Sequence, residues 1–183
     1  MNTFFIEKEI KYIGSQLAPH WIYKNFNLLG DSIVAFIGEV EVKLTEMVDI
    51  EDVINNEPIK SDKMLSFIIE HFDMPLEEAI FAQRMLVTII KENLEKYGAK
   101  IIRDGDDLFF DGKKLSVSIA TKSITSSLIH TALNIVPTGA PIEISSLDEI
   151  GIKDVKKFAI DVMLCYSNEI KSIKNAFCKV RGV

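Results

Sequence analysis

An Asp-Gly pair at residues 111 and 112 stands between two runs rich in strand formers, DDLFF and KKLSVSIAT. A two-residue hairpin loop requires positive φ at both central positions. Gly adopts it freely and Asp at modest cost. The pair therefore predicts a tight antiparallel hairpin, and the register follows from the turn. Phe110 faces Lys113, Phe109 faces Lys114, Leu108 faces Leu115 and Asp107 faces Ser116. Side chains alternate between the two faces of a strand. One face then carries Leu108, Phe110, Leu115, Val117 and Ile119, and is expected to be the core. The other carries Asp107, Phe109, Lys114, Ser116 and Ser118. Asp107 lies diagonal to Lys114, within reach of its long side chain. A longer turn would exchange the lysines, so Lys113 and Lys114 remain alternatives for the polar face.

The remaining elements follow from periodicity and punctuation. Residues 3 to 13 predict a first strand anchored by Phe4, Phe5 and Ile10. Ser15 is placed to cap a short helix carrying Leu17, Trp21 and Ile22. DSIVAFI (31 to 37) is apolar on both faces and predicts a central strand. Residues 39 to 44 alternate acid with Val, as a half-exposed strand does, 55 to 62 read as loop, and 64 to 72 as a buried strand. The clearest helix has Pro75, Glu77 and Glu78 at its start and Gly98 past its end, with Leu76, Ala79, Ile80, Leu86, Val87, Ile90 and Leu94 recurring at helical spacing. A strand from 100 to 103 precedes the hairpin. A strand from 127 to 135 follows it, and then a helix from 154 to 177 with a break near Ser167. This order predicts an α+β fold, a mainly antiparallel sheet flanked by helices, in one domain spanning residues 1–183.

Charge narrows the function classes. Twenty-seven acids against 21 basic residues leave a net charge of −6 and no surplus to neutralise phosphates, so nucleic acid is not an expected partner. No segment approaches the roughly 20 apolar residues needed to span a bilayer, and the N-terminus lacks a signal-peptide core. A cytoplasmic protein without membrane contact is expected. Cys165 and Cys178 lie thirteen apart in a predicted helix, too far to bridge, and read as reduced thiols. The three histidines are far apart and lack ligand spacing, so no metal site is expected. Richness in Lys, Glu and Ile leans toward a thermophile. The eleven phenylalanines suit both core and subunit contacts, and a homo-oligomer is expected.

The polar candidates fall into two groups. On the hairpin, the Lys114 ammonium beside the Ser116 and Ser118 hydroxyls suits a carboxylate or phosphate, with Asp107 holding the lysine or binding a metal–phosphate complex; the alternative is a solvated face with an incidental ion pair. Elsewhere, Ser15, Gln16 and His20 lie near a helix start, where free N–H groups bind anions. Asp31 opens a buried strand, as a turn cap or a site group. His71 reads as a satisfied sheet histidine, and His130 as either a core histidine or a site residue. No GxSxG, P-loop or GxGxxG pattern occurs.

DDLFFDGKKLSVS resembles the hairpin of the biotin and lipoate protein ligase superfamily, which has a class II synthetase-like fold. That resemblance implies that Lys114 touches an acyl-adenylate and that the family's Asn-Asp pair falls on Asp106 and Asp107. SSLIHTALNI resembles the strand that follows, with its histidine at His130. The match covers about Tyr97 to Ile135. Over nearly the full length, YIGSQLAPHWIY, LLGDSIVAF, MVDIEDV, FIIEHFD and GDDLFFDGKKLSVSIAT resemble a mainly archaeal domain-of-unknown-function family, family 366. The likeness to that family implies a ligase-like fold and brings no assigned reaction; the ligase resemblance implies a small carboxylate, acyl or nucleotide-like ligand, and ATP/Mg²⁺ with acyl or adenylate transfer. The chain departs from the ligases in lacking their Arg/Gly-rich loop and in carrying Val117 where they have Gly. A non-catalytic oligomeric binding or scaffold module therefore stands as the alternative.

Overall fold

The computed structural model describes residues 1–182. The chain runs β1 (Asn2–Phe5), α1 (Trp21–Phe26), β2 (Ser32–Val42), a 3-10 turn (Leu44–Glu46), α2 (Ile50–Asn55), β3 (Ile59–Phe72), α3 (Leu76–Glu95), β4 (Ile101–Asp104), β5 (Asp107–Phe110), β6 (Lys113–Lys114), β7 (Ser116–Lys122), β8 (Ser126–Asn134), α4 (Leu147–Ile150) and α5 (Val155–Lys179). Five strands form the main sheet in the order β1-β2-β3-β8-β7, and β4, β5 and β6 form a second, smaller one. Among the strands of the described residues only β1 and β2 pair in parallel, and isolated parallel bridges join Tyr12 to Val40 and Lys114 to Ile144.

The main sheet is covered on both faces, which is why β2 and β3 read as unbroken apolar runs. Ile33, Ala35, Leu65, Phe67, Ile69, Ile129 and Leu133 face α3 and α5 in the larger core. Val34, Phe36, Ile68 and Ala132 face the other way, under Ile6, Tyr12 and Ile22 of the N-terminal segment. That segment crosses β2 closely because residue 38 is Gly. A Cβ there would lie 2.0 Å from the carbonyl oxygen of Ile10.

The helices α3 and α5 and the strands β3, β4 and β8 form where periodicity places them. The expected first strand is shorter. After Phe5 the chain follows β2 through scattered bonds, Ile6 N–H to Ala35 and Ile10 N–H to Ile37, without forming a ladder. The two strands expected at 31–37 and 39–44 are one, bent by a register shift between Gly38 and Val40. The expected loop at 55–62 contains the start of β3. Ser15 caps no helix: α1 starts at Trp21, after His20 in the left-handed region at φ 61°. No break occurs at Ser167, since α5 is continuous.

Candidate functional site

The hairpin has the register the Asp-Gly turn dictates. Phe109 pairs with Lys114 and Phe110 with Lys113, with positive φ at Asp111 and Gly112. The Leu115 N–H donates to the Leu108 carbonyl at 2.7 Å. There the chain leaves the small sheet, and the Asn134 N–H donates to the Leu115 carbonyl from the main sheet. Leu115 belongs to neither strand, and alternation slips by one residue across it. The expected common core face is therefore corrected. Leu108, Phe110 and Leu115 join the helix-side core, while Val117 packs against the opposite one. Ile119, two residues on, shares Val117's face.

The same slip redistributes the expected polar row. Lys114 stays on the rim of a groove of about 410 Å³, with its Nζ 2.9 Å from Asp107 Oδ2. Ser116 is buried and its hydroxyl accepts the Leu108 N–H at 2.9 Å. Ser118 turns toward α3, where its hydroxyl meets Gln83 Nε2 at 3.0 Å and Thr131 Oγ1 at 2.8 Å. The structure thus joins Lys114 and Asp107, and Ser116 and Ser118 line the same groove with their hydroxyls already engaged, Ser116 by the Leu108 N–H and Ser118 by Gln83 and Thr131. Lys113 points to Glu143, at 3.5 Å. The two-residue turn decides between the lysines: Lys114 lines the groove.

The groove floor is made by Met64, Val117 and the buried pair Ser61–Asn134, whose hydroxyl donates to Asn134 Oδ1 at 3.0 Å. Pro58 and Ile59 form one wall, and Pro141, Ile142 and Ile144 the other. Gly139 locks that second wall onto β3: its φ is 88°, and a Cβ would fall 2.3 Å from Asp62 Oδ1. Asp52, in the first turn of α2, stands on the rim with Asn56 and Glu57 from just past that helix. Burial pushes the Asp107 carboxyl up, more than the Lys114 ammonium pulls it down. Burial, with Asp49 next, likewise raises Asp52.

The other candidates lie elsewhere. His130 is fully buried, stacked under Tyr12 and 3.3 Å from Ser66 Oγ, so it does not reach the groove; burial lowers its pKa to about 3. Gln16 braces its own loop, accepting the Ile13 N–H and donating to the Lys11 carbonyl. Ser15 lies in the same loop, and no helix N-terminus forms there. The His20 backbone N–H donates to the buried Glu70 carboxylate at 2.8 Å, and its ring lies near Phe72. Asp31 lines a second cavity of about 570 Å³. It accepts the Phe72 N–H at 2.9 Å, and its Oδ2 lies 3.4 Å from His71 Nδ1 and 3.3 Å from Lys174 Nζ. Burial opposes its charge, but the bonds from His71, Phe72 and Lys174 win and hold the carboxyl well below the usual carboxylate range. His71 is a satisfied sheet histidine, with Nε2 2.8 Å from the Tyr166 hydroxyl.

Sequence reading missed Asp52 and the walls of the groove. Two signals were present. Asp49, two and three residues before Glu51 and Asp52, is the cap of α2, accepting both of their N–H groups. PTGAP (137 to 141) is a turn-rich loop ahead of the apolar Ile142 and Ile144. Among the described residues no group of His, Cys, Asp or Glu is arranged to hold a metal, and no helix is long and apolar enough to cross a membrane.

The geometry has counterparts. A biotin protein ligase from Aquifex aeolicus, solved with biotin and ATP, superposes with a TM-score of 0.63 at 16% identity, covering 95% of this chain and 72% of that one. The likeness shows the biotin/lipoate protein ligase-like α+β fold. A protein of unknown function from Pyrococcus horikoshi superposes with a TM-score of 0.94 at 39% identity, covering 100% of this chain and 98% of that one. In sequence, the uncharacterised protein MJ0805 of Methanocaldococcus jannaschii is 39% identical over 180 residues, which are 95% of this chain and 81% of the relative. Residues 1–181 match the model of the family described as domain of unknown function (DUF366), and the chain belongs to that family.

Proposed function

We propose that the groove beside Lys114 binds a small molecule made of an apolar body and one carboxylate. The observation that carries this reading is the placement of the Lys114 ammonium, held by Asp107 at 2.9 Å, on the rim of a groove walled by Pro58, Ile59, Pro141, Ile142 and Ile144. Ligand sites combine mostly apolar walls with few fixed polar groups. The lysine is a point charge suited to one carboxylate. The Ser61–Asn134 pair on the floor gives a ligand's polar atom a partner.

The rim also decides against one ligand type. Asp52, Glu57 and Asp107 stand there against Lys60 and Lys114. A triphosphate would meet three carboxylates and would need a bridging cation, and among the described residues no group of His, Cys, Asp or Glu is arranged to hold one, so these residues do not fit ATP and no adenylate or acyl transfer is derived for this chain. A biotin or lipoate-like acid, or an acyl chain, fits better than a nucleotide. The second reading, a binding module without a reaction, is favoured by the sealing of His130 under Tyr12. It leaves Lys114 as the one candidate reacting group carried over from the resemblance.

The test is titration calorimetry with octanoate as the probe. Wild type is expected to bind, and Lys114→Ala to weaken binding at least tenfold, the scale of about 1.4 kcal/mol. Equal affinity in the two proteins would refute the reading.

A further inference from the structure

The helices α3 and α5 run antiparallel. Tyr97 meets Phe158 at one end, with ring centroids 6.2 Å apart, and Lys174 meets Asp31, beside Phe72, at the other. Past Ile170, α5 has no buried residue among those described. Yet it keeps an apolar stripe, Ile173 and Phe177, followed by Val180 just beyond the helix; Phe177 is 82% exposed and Val180 74%. Isolated short helices are marginal in water, and a helix turn is normally held by the apolar face it buries. From Lys171 to Gly182 the chain carries four basic residues and no acid, although the whole molecule is acidic.

The same end of the molecule holds the complement. The 570 Å³ cavity is lined by Asp31, Asp73 and Glu78 against one lysine, Lys174, together with Met1, Leu29, Phe72 and Met74. Leu29 is 75% exposed, and Leu76 and Ile80, two residues to either side of Glu78 in α3, are exposed as well. Asp31 already takes a lysine of the molecule's own α5, Lys174. Among the described residues Asp73, Glu78, Lys179 and Arg181 have no ion-pair partner.

We propose that two copies of this chain form a two-fold dimer in which the α5 overhang of each lies across the acidic cavity of the other. Phe177 packs against Leu29 and Met74, while Lys179 meets Glu78 and Arg181 meets Asp73. A two-fold interface requires one surface that complements itself. This end supplies both halves, a basic apolar stripe and an acidic apolar hollow whose rim the stripe leaves from. Within one chain only Asp31 is met, by Lys174; Phe177, Lys179 and Arg181 run outward past it and leave Asp73 and Glu78 without an ion-pair partner among the described residues. The charge pattern favours a second copy over an anionic lipid surface, since the acids around the cavity would face the lipid too.

The experiment is light scattering after size exclusion, from about 1 to about 100 µM, on wild type and three variants. Wild type is expected at twice the chain mass of 20.6 kDa. Phe177→Asp is expected as a monomer that keeps its fold, losing at most the helical signal of the overhang past Ile170, because the residue is exposed within one copy. Glu78→Lys is expected to raise the dimer dissociation constant at least tenfold. Lys179→Glu in the same chain is expected to restore it, because each crossing then pairs the reversed charges. A wild-type monomer at every concentration, a dimer that survives Phe177→Asp, or a double variant no tighter than Glu78→Lys would each overturn the proposal. So would a monomer that sediments with phosphatidylglycerol vesicles through Phe177, which would make the overhang a lipid-binding helix.

Discussion

The Tyr12 ring lies over the His130 imidazole, with centroids 3.8 Å apart and planes 14° from parallel. The chain's own N-terminal segment thereby occupies the sheet face in front of β8. Burial keeps His130 neutral, with a pKa lowered to about 3. In the unfolded chain a histidine binds its proton near pH 6.5. Between those values the unfolded state holds the extra proton, so stability falls as pH drops from about 6.5 toward 3 and is unaffected by this group above that window. Urea unfolding at pH 7 and pH 4.5 checks this. Wild type loses stability on acidification, and His130→Gln, less stable at pH 7 for want of the stack, loses less.

Asp31, His71 and Tyr166 tie the start of β2, the end of β3 and α5 together. Tyr166→Phe removes the partner of a fully buried imidazole nitrogen. An orphaned buried polar group costs about 1–3 kcal/mol, and the lost tyrosine hydroxyl leaves no compensating contact. A lowered melting temperature with an unchanged groove affinity is the expected result. Asp31 adds an acid limb: its carboxyl is held below its unfolded range near 3.9, so the stability it contributes is complete above that value and is lost as pH falls further.

Gly38→Ala would set a methyl group against the Ile10 carbonyl oxygen, which lies 2.0 Å from where the Cβ would be. Backbone cannot move aside as a side chain can. The N-terminal segment must lift from β2, at about 1–3 kcal/mol, the usual cost of overpacking. Hydrogen exchange should show faster exchange at the Ile10 and Tyr12 amides, which donate to Ile37 and Glu39, than in wild type.

Gly139→Ala bears on the groove wall. A Cβ would meet the backbone nitrogen and carboxylate of Asp62 within 2.4 Å, at a φ of 88° that suits glycine. The loop from Thr138 to Ile144 must shift, taking Pro141 and Ile142 with it. Octanoate affinity is expected to fall, while the Lys114–Asp107 pair, carried by the hairpin, stays in place. A crystal structure of the variant would report both.

The legible parts of this molecule are those fixed by local chemistry. The Asp111–Gly112 turn set the register of β5 and β6 and the Asp107–Lys114 pair, because two positive φ angles admit one hairpin. The long helices were legible from their apolar stripes. The illegible step is at Leu115, where the chain changes sheets: that depends on Asn134 reaching the Leu115 carbonyl, a contact nineteen residues away. One slip there moved Val117 to the groove and sent Ser118 to Gln83. His130 stayed open between core and site because Tyr12, which covers it, is distant in sequence. Asp52 was overlooked although the Asp49 cap was readable.

The groove account stands or falls on the effect of small carboxylates on thermal stability. Wild type and Lys114→Ala would be melted with octanoate, lipoate and biotin, each with and without ATP/Mg²⁺. A ligand at 100 times its dissociation constant adds about 2.7 kcal/mol of stability. The lysine–aspartate pair is partly exposed and worth about 0–1 kcal/mol, so the variant itself should melt close to wild type. The account predicts that at least one carboxylate raises the wild-type melting temperature without ATP and that the rise disappears in Lys114→Ala. An equal rise in both proteins, or none with any carboxylate, would contradict it.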